Sequence, residues 1–318
     1  MKHLSLRSLR TFVTVAECGT ISAAAVKLGR SQAAISATIT EFEAALGVSV
    51  FVRKAAKGLV LTAMGEMLSL EARGLLAHAD EFETIAGAMG NALEGELSVA
   101  CFINLAPIIF ANLVAEFNRR YPKIRVHMMI GDHEELIQSM RSGASEVALT
   151  FDLALPDQFR SVPMATLPPL AILSSEHPFA DRTSIDLGSL AHEPLILMDL
   201  PHTREYFLSL YYSLHLTPEI KFRSSSFETV RTLVGNGLGY SLLNTVPRSQ
   251  ETYDGTRVVT IPLAGELRPL QIVLVTLRRI TQRRIVRTFG DFARSYIKAW
   301  RERTNATAFP TIRAIDSE

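Results

Sequence analysis

Ser31, Gln32, Ala33, Ser36, Ala37 and Thr40 fall on one face of a short helical pattern, and all six are small or uncharged. Such a surface suits the edges of DNA bases better than it suits catalysis. The Gln32 amide can pair with an adenine edge, and Ala33 or Ala37 can touch a thymine methyl. Arg30, Ser31 and the helix N-terminus can hold phosphates. A second group, Arg53, Lys54 and Lys57, offers cations to the phosphate backbone without regard to sequence. Further along, loops at Phe102-Ile103-Asn104, Thr150-Phe151-Asp152, Asp199 to Arg204 and Ser225-Ser226-Phe227 collect binding chemistry, with Gly131-Asp132 and Asn244-Thr245 as outer candidates. Asn104, Thr203 and Ser226 supply neutral donors and acceptors, Arg204 a fork for a carboxylate, Asp152 a partner for an amino group, and Phe102, Phe151 and Phe227 apolar walls. His202 completes that set as a loop histidine. No HExxH, GxSxG, phosphate loop or CxxC occurs, so binding is expected without catalysis, metal or cofactor.

These groups need elements to hold them. Leu6, Leu9, Phe12, Val13 and Ala16 recur at helical spacing and predict a helix from about Ser5 to Cys18, stopped by Gly19. Thr20 caps a second helix, Ile21 to Leu28. After Gly29, Ser31 caps a third whose buried stripe is Ile35, Ile39, Phe42 and Leu46. Val48 to Phe51 and Leu59 to Leu61 flank the basic tip as two short strands, a wing beside a helix-turn-helix. An alanine-rich helical hairpin inside a larger core would explain the stripe but not the neutral polar face. From Thr62 a proline-free helix is predicted to run to about Leu93, with Met64, Leu68, Ala72, Leu75, Ala79, Phe82, Ala86, Met89 and Leu93 along a coiled-coil seam. Thirty-two residues make a rod of about 48 Å, which needs a partner to be stable in water. Leu68, Leu75, Phe82 and Met89 are its expected dimer contacts; packing on the chain's own downstream part is the alternative.

From Gly95 onward, strand patterns alternate with helical ones, which predicts an α/β body. Strands are expected at Arg125 to Ile130, Glu146 to Phe151, Leu170 to Ser174, Leu195 to Met198, Ile220 to Phe222, Tyr240 to Leu243 and Leu270 to Leu277. Helices are expected at Ile108 to Tyr121, Glu134 to Ser142, Thr203 to His215, Phe227 to Asn236 and Ile285 to Trp300. A length of 318 residues with 47% hydrophobic and 20% charged residues provides for two or three domains. Residues 1–62 hold eight Lys and Arg against three Glu, a net +5, so the rest of a chain with overall charge +1 carries −4. An anionic polymer is therefore expected at one end only. No leader or membrane-length apolar run stands out, and Cys18 and Cys101 sit far apart in apolar or small-residue surroundings, which points to reducing cytoplasm.

Taken in order, Phe12, Ile21-Ser22-Ala23-Ala24-Ala25, Leu28, Ser31-Gln32-Ala33-Ala34-Ile35-Ser36, Ile39, Glu43, Leu46-Gly47, Phe51-Val52-Arg53 and Leu61-Thr62-Ala63-Met64-Gly65 resemble the LysR-type transcriptional regulators. Tyr121-Pro122, Gly143 with Glu146 to Leu149, His177 to Ala180, Glu193 to Ile196 and Val234 to Gly239 extend the resemblance through the body, to about residue 300. Ala33 stands where many members have proline, Ala37 where a long polar residue is common, Phe42 where leucine is usual, and Glu146 where aspartate is usual. The resemblance implies a winged helix-turn-helix over 1–62 and a dimerisation helix over 63–93. It also implies a two-lobed α/β effector domain like a periplasmic binding protein over 94–300; past Trp300 apolar periodicity is lost, so 301–318 are expected to form a flexible tail. Lobe I would take about 94–167 and 268–300, and lobe II about 168–267, with the ligand between them. It further implies a homodimer, a tetramer of two dimers, dyad-symmetric double-stranded DNA and a small-molecule effector as partners, and it allows RNA polymerase as another; Arg204 and Asp152 lead to the expectation that the effector bears a carboxylate or an amino group. A DNA-binding factor whose body is only an oligomerisation platform remains the alternative.

Overall fold

The computed structural model describes residues 4–54, 58–87 and 93–308. Helix α1 (Leu6–Cys18) starts at Ser5, whose hydroxyl accepts the Ser8 N–H, and ends at Gly19 in the left-handed region. Thr20 and Ser31 cap α2 (Ile21–Leu28) and α3 (Gln32–Leu46) in the same way. The stripes facing inward, Phe12, Ile35, Ile39 and Phe42, form a small core with Val50. Phe42 stacks on Phe12 with ring centroids 4.9 Å apart, so the larger side chain in leucine's place fills that core as an aromatic pair. Strand β1 (Phe51–Lys54) pairs antiparallel with β2 (Gly58–Leu61), Phe51 opposite Leu61. The hairpin is tied to the α1–α2 turn by the Leu59 N–H donating to the Gly19 carbonyl at 2.8 Å. Gly58 has φ +71°, and a Cβ there would stand 2.7 Å from that carbonyl oxygen, so only glycine permits the docking.

Helix α4 (Ala63–Gly87) begins at Thr62, whose hydroxyl accepts the Gly65 N–H at 2.9 Å. Its expected seam is split. Ala72 is buried in the head's core and Leu68 packs against it, while Leu70 joins the core of the body. Leu68 is therefore used within its own chain, because the first turns of the rod lie against α1. Leu75 and Phe82 stay outward, 57% and 71% exposed. Met89, the last expected seam contact, and Lys57 at the wing tip lie outside the described residues.

The body holds two sheet systems. The larger runs β4 (Ile124–Gly131), β3 (Gly95–Phe102), β5 (Val147–Phe151), β12 (Leu270–Leu277), β6 (Phe159–Leu167) in spatial order. Its first three strands are parallel, with Val99 beside both Met128 and Val147, whereas β12 returns antiparallel with Leu274 opposite Leu149. The near-continuous apolar runs of β3, β5 and β12 are buried on both faces by α5 (Ala111–Arg120), α6 (His133–Ser142) and α10 (Arg284–Ala308). Glu146, just before β5, forms an ion pair with Arg283 just before α10, with Nε to carboxylate at 2.8 Å. In the second system β7 (Leu170–Ser174) lies between β10 (Ser241–Leu243) and β11 (Val258–Pro262). Strands β8 (Pro194–Met198) and β9 (Glu219–Ser224) run parallel, and a bridge from Leu195 to Tyr240 joins them to β10. Helices α7 (Leu187–Leu190), α8 (Thr203–Ser213) and α9 (Phe227–Gly235) cover this system. Gly239, at φ +149°, lets the turn after α9 lie on β8; a Cβ would meet the Pro194 carbonyl at 2.1 Å. The glycines of Gly235 to Gly239 thus serve a turn. The chain passes between the two systems twice, between Leu167 and Leu170 and again between Pro262 and Leu270.

Several elements differ from expectation. Strands β6 and β11 are edge strands holding Pro163 and Pro262, residues an edge tolerates and a periodic pattern penalises. The helix expected from Ile108 opens with a π-helical turn, Ala106–Phe110, with proline in its first positions. Residues 301–308, expected in a flexible tail, continue α10, where Thr304 donates to the Trp300 carbonyl at 2.9 Å and no proline interrupts. Among the described residues no helix is long and apolar enough to cross a membrane.

Candidate nucleic-acid interface and effector crevice

Burial of Ile35, Ile39 and Phe42 turns the opposite face of α3 outward, and Ser31, Gln32, Ala33, Ser36, Ala37 and Thr40 are all exposed on it. The Ser31 hydroxyl accepts the Ala34 N–H at 3.2 Å and keeps its own proton to donate. Thr40 donates to the Ser36 carbonyl at 3.1 Å, which leaves an acceptor outward. Arg53 and Lys54 are exposed on β1. Arg30 differs from expectation: its guanidinium reaches the Thr11 and Thr38 hydroxyls at 3.2 and 3.3 Å, so it ties α1 to α3 before it can hold a phosphate. Glu43 had no assigned role. Its carboxylate accepts the N–H groups of Val50 and Phe51 at 2.7 and 3.2 Å, locking the wing to the exposed helix. Its place in the ordered set that carries the resemblance, and its position one turn before a helix-ending glycine, were the signals for it.

Between the two sheet systems lies a narrow crevice of ≈ 10 Å³, room for about one water molecule in this arrangement of the two parts. Asn104, Phe151 and Leu270 reach it from the larger sheet, and Met198, Thr203, Phe207, Phe227, Leu243, Asn244 and Thr245 from the other side. Of the expected effector residues, Asn104, Phe151, Thr203, Phe227 and Asn244 meet there. The others are engaged elsewhere. Phe102 is buried in the sheet core, edge-on to Phe151 with centroids 5.5 Å apart. Ile103 is exposed. Asp132 caps α6 in a reciprocal pair with Glu135, and Ser226 caps α9 through the Thr229 N–H. Asp152 is exposed after β5, and its N–H donates to the Gln271 carbonyl. Arg204 is held by Asp199 and Glu205. His202, in the left-handed region at φ +63°, packs against the ring of His133. Charged and capping side chains found partners beside their own backbones, which removed them from the crevice. Met198 and Leu243 end β8 and β10, so the preference of open α/β sheets for ligands at strand carboxyl ends would have found them. Phe207 and Leu270 gave no such signal.

Two polar atoms in the crevice wall, Thr203 Oγ1 and Asn244 Oδ1, are buried without a hydrogen-bond partner. The rest of Asn244 is committed: its Nδ2 donates to the Leu167 carbonyl at 3.2 Å and to the Tyr206 hydroxyl at 3.1 Å. Tyr206 in turn donates to the Arg268 carbonyl at 2.8 Å. Burial pushes the Tyr206 phenol up to about 12, so it stays protonated. Nearby, His133 is 2% exposed. Burial first, then the neighbouring His202, pull its pKa down to about 4 against the opposing effect of Asp132. A larger gap, ≈ 990 Å³ and open to solvent, lies where α1 and α4 meet the body. Its lining holds the ion pairs Arg73–Glu17 and Arg283–Glu146, and Arg73 Nε is buried there without a hydrogen-bond partner.

Residues 6–66 match the family described as bacterial regulatory helix-turn-helix protein, lysR family, and residues 90–298 match the LysR substrate binding domain. HinK, a LysR family transcriptional regulator from Pseudomonas aeruginosa, is 34% identical, with a TM-score of 0.64 over 93% of this chain and 99% of its own. The transcriptional regulator YnfL of Escherichia coli is 29% identical over 83% of this chain and 89% of its own. The hydrogen peroxide-inducible genes activator of Pectobacterium carotovorum is 26% identical over 78% of this chain and 83% of its own. A winged head with a neutral polar helix face, joined by a long helix to a two-part body with a walled crevice, agrees with both family matches. The chain belongs to the LysR family of DNA-binding transcription regulators.

Proposed function

We propose that residues 1–62 read dyad-symmetric promoter DNA, that the helix of 63–93 pairs two subunits, and that residues 94–300 sense a small molecule in the crevice. Gln32, Ser36 and the alanines of α3 contact bases, while Ser31, Arg53, Lys54 and Lys57 contact phosphates. Two dimers form the working tetramer in the cytoplasm, and RNA polymerase is its further partner. The observation that carries the sensing role is the pair of buried, unpartnered atoms, Thr203 Oγ1 and Asn244 Oδ1, in the wall of a crevice between two separately built sheet systems. A buried polar group without a partner costs about 1–3 kcal/mol, which a bound molecule relieves. Control of DNA binding then requires that the molecule bind one arrangement of the two parts better than the other.

Thermal-shift screening of the full chain, followed by DNA binding at fixed salt, tests this. A compound that raises the melting temperature and changes DNA affinity or assembly is expected. If no compound stabilises the chain, or stabilisers leave DNA binding and assembly unchanged, the body is only an oligomerisation platform. Peroxide chemistry of the kind the name of the Pectobacterium relative suggests finds no support here. The crevice lining holds no cysteine, and Cys101 is buried, which pushes its thiol up and away from the reactive thiolate.

A further inference from the structure

We propose that the effector is an uncharged molecule with a flat apolar part and an N–H or O–H donor, which it gives to Asn244 Oδ1 at the crossing between the two parts of the body. This rests on the crevice being the sensing site.

The lining decides the charge. Its ten residues include no Asp, Glu, Lys, Arg or His. A carboxylate or ammonium ion placed there would lose its hydration with no counter-ion to replace it, at a cost of several kcal/mol. The beginning of α8, which would attract an anion through free N–H groups, is already served by the chain's own Glu205. Burial works against ionisation of Glu205. Hydrogen bonds from its own N–H and that of His202, with Arg204 beside it, nevertheless hold its carboxyl below the usual range. At α9, Ser226 accepts the Thr229 N–H and Glu228 sits in the first turn. The cation suited to a carboxylate, Arg204, is spent on Asp199 and Glu205.

The hydrogen-bond network decides the polarity of the contact. Tyr206 gives its only proton to the Arg268 carbonyl, so it must accept from Asn244, which fixes Nδ2 on the side of Tyr206 and Leu167 and leaves Oδ1 free. An amide oxygen only accepts, so the ligand atom opposite it must donate. Thr203, 3% exposed, and Asn244, 7% exposed, are closed off from bulk solvent, and the crevice has room for about one water, which the donor of a ligand would displace. Phe151, Phe207 and Phe227 wall the crevice and suit a flat apolar group once the two parts of the body move apart to admit it.

The same network gives the contact a consequence. Leu167 lies on the outgoing crossing and Arg268 on the return, and Asn244 and Tyr206 bind the carbonyls of both. A donor on Oδ1 polarises the Asn244 amide and strengthens its Nδ2 donation to Leu167 and Tyr206. Ligand occupancy is thereby tied to the stiffness of both crossings.

The test uses the full chain and five probes of matched size: benzamide, benzyl alcohol and phenol as uncharged donors, benzoate as the anion and benzylammonium as the cation. Calorimetric titration of each is compared between the parent and Thr203→Val, which removes a hydroxyl that has no partner and therefore preserves the fold. At least one uncharged probe should bind more tightly than both ions, and Thr203→Val, which removes the second unpartnered oxygen a ligand can engage, should weaken it about tenfold, one good hydrogen bond, with a melting temperature no lower than the parent's. Preference for benzoate or benzylammonium, still lost in Thr203→Val, would overturn the uncharged class and keep the crevice as the sensing site. Binding indifferent to Thr203→Val, or no binding by any of the five, would overturn the assignment of the ligand class to this crevice. The broader screen described above then decides separately whether the body senses anything.

Discussion

Gln32 offers two donors and an acceptor from an exposed side chain, whereas Lys54 offers only charge, so their removal should have different effects. Gln32→Ala should lower preference for the cognate site by about 1–3 kcal/mol with nonspecific binding unchanged. Lys54→Ala should weaken both kinds of binding and reduce the salt slope by about one. Equal affinity of Gln32→Ala for cognate and random DNA, relative to the parent, would place the base-reading face elsewhere. His133 makes a different prediction. Its folded pKa of about 4 lies below the unfolded 6.5, so the unfolded chain takes up the proton first as pH falls. The stability it contributes is complete above about pH 6.5 and is lost as pH drops toward 4, amounting to about 2–3 kcal/mol by pH 4.5. Urea denaturation at pH 7.5 and 4.5 should show a smaller difference for His133→Gln than for the parent; parallel losses would remove His133 as the cause. Residue types alone were informative where a side chain had nothing nearer to bind. Asn104, Thr203 and Asn244 reached the crevice, but Arg204, Asp132 and Ser226 were drawn to partners within five residues of themselves. Sequence chemistry identifies such groups without showing which are already satisfied.

At the scale of elements, helical periodicity with caps was the clearest signal. The three head helices begin at Ser5, Thr20 and Ser31 and end at glycines with positive φ. Strands buried on both faces were also legible, as in Leu170 to Ser174 and Leu270 to Leu277. Edge strands β6 and β11 were not, because their proline is tolerated only for a position in the sheet that local sequence does not reveal. Helix α4 shows the same limit: one continuous seam in the sequence is divided in space, part against α1 and part outward. Leu75 and Phe82, one heptad apart, keep a large apolar surface in water that a second copy of the helix would cover. Leu75→Lys should therefore raise the dimer dissociation constant by at least tenfold in sedimentation equilibrium, with the circular dichroism of the chain unchanged. A dimer that persists in Leu75→Lys at low micromolar concentration would move the interface off this helix.

For the whole molecule, pairing through α4 turns two modest readers into one selective one. Gln32 and Ser36 are the only long or hydroxyl-bearing base readers near the start of α3, with alanine at 33 and 37, so a single head has few contacts with which to discriminate and depends more on DNA shape. Holding two heads on one axis makes the second contact intramolecular, and such linkage multiplies affinity by roughly 10²–10⁴ without any new contact. A site with two intact half-sites should therefore bind the parent chain at least about 100-fold more tightly than one with a scrambled half-site. Leu75→Lys should lose most of that ratio while keeping the affinity for the single half-site. Fluorescence anisotropy on the two DNAs at one salt concentration measures all four values. A ratio that survives Leu75→Lys would mean that the heads are paired by the body instead, and dyad recognition would then no longer depend on the helix between them.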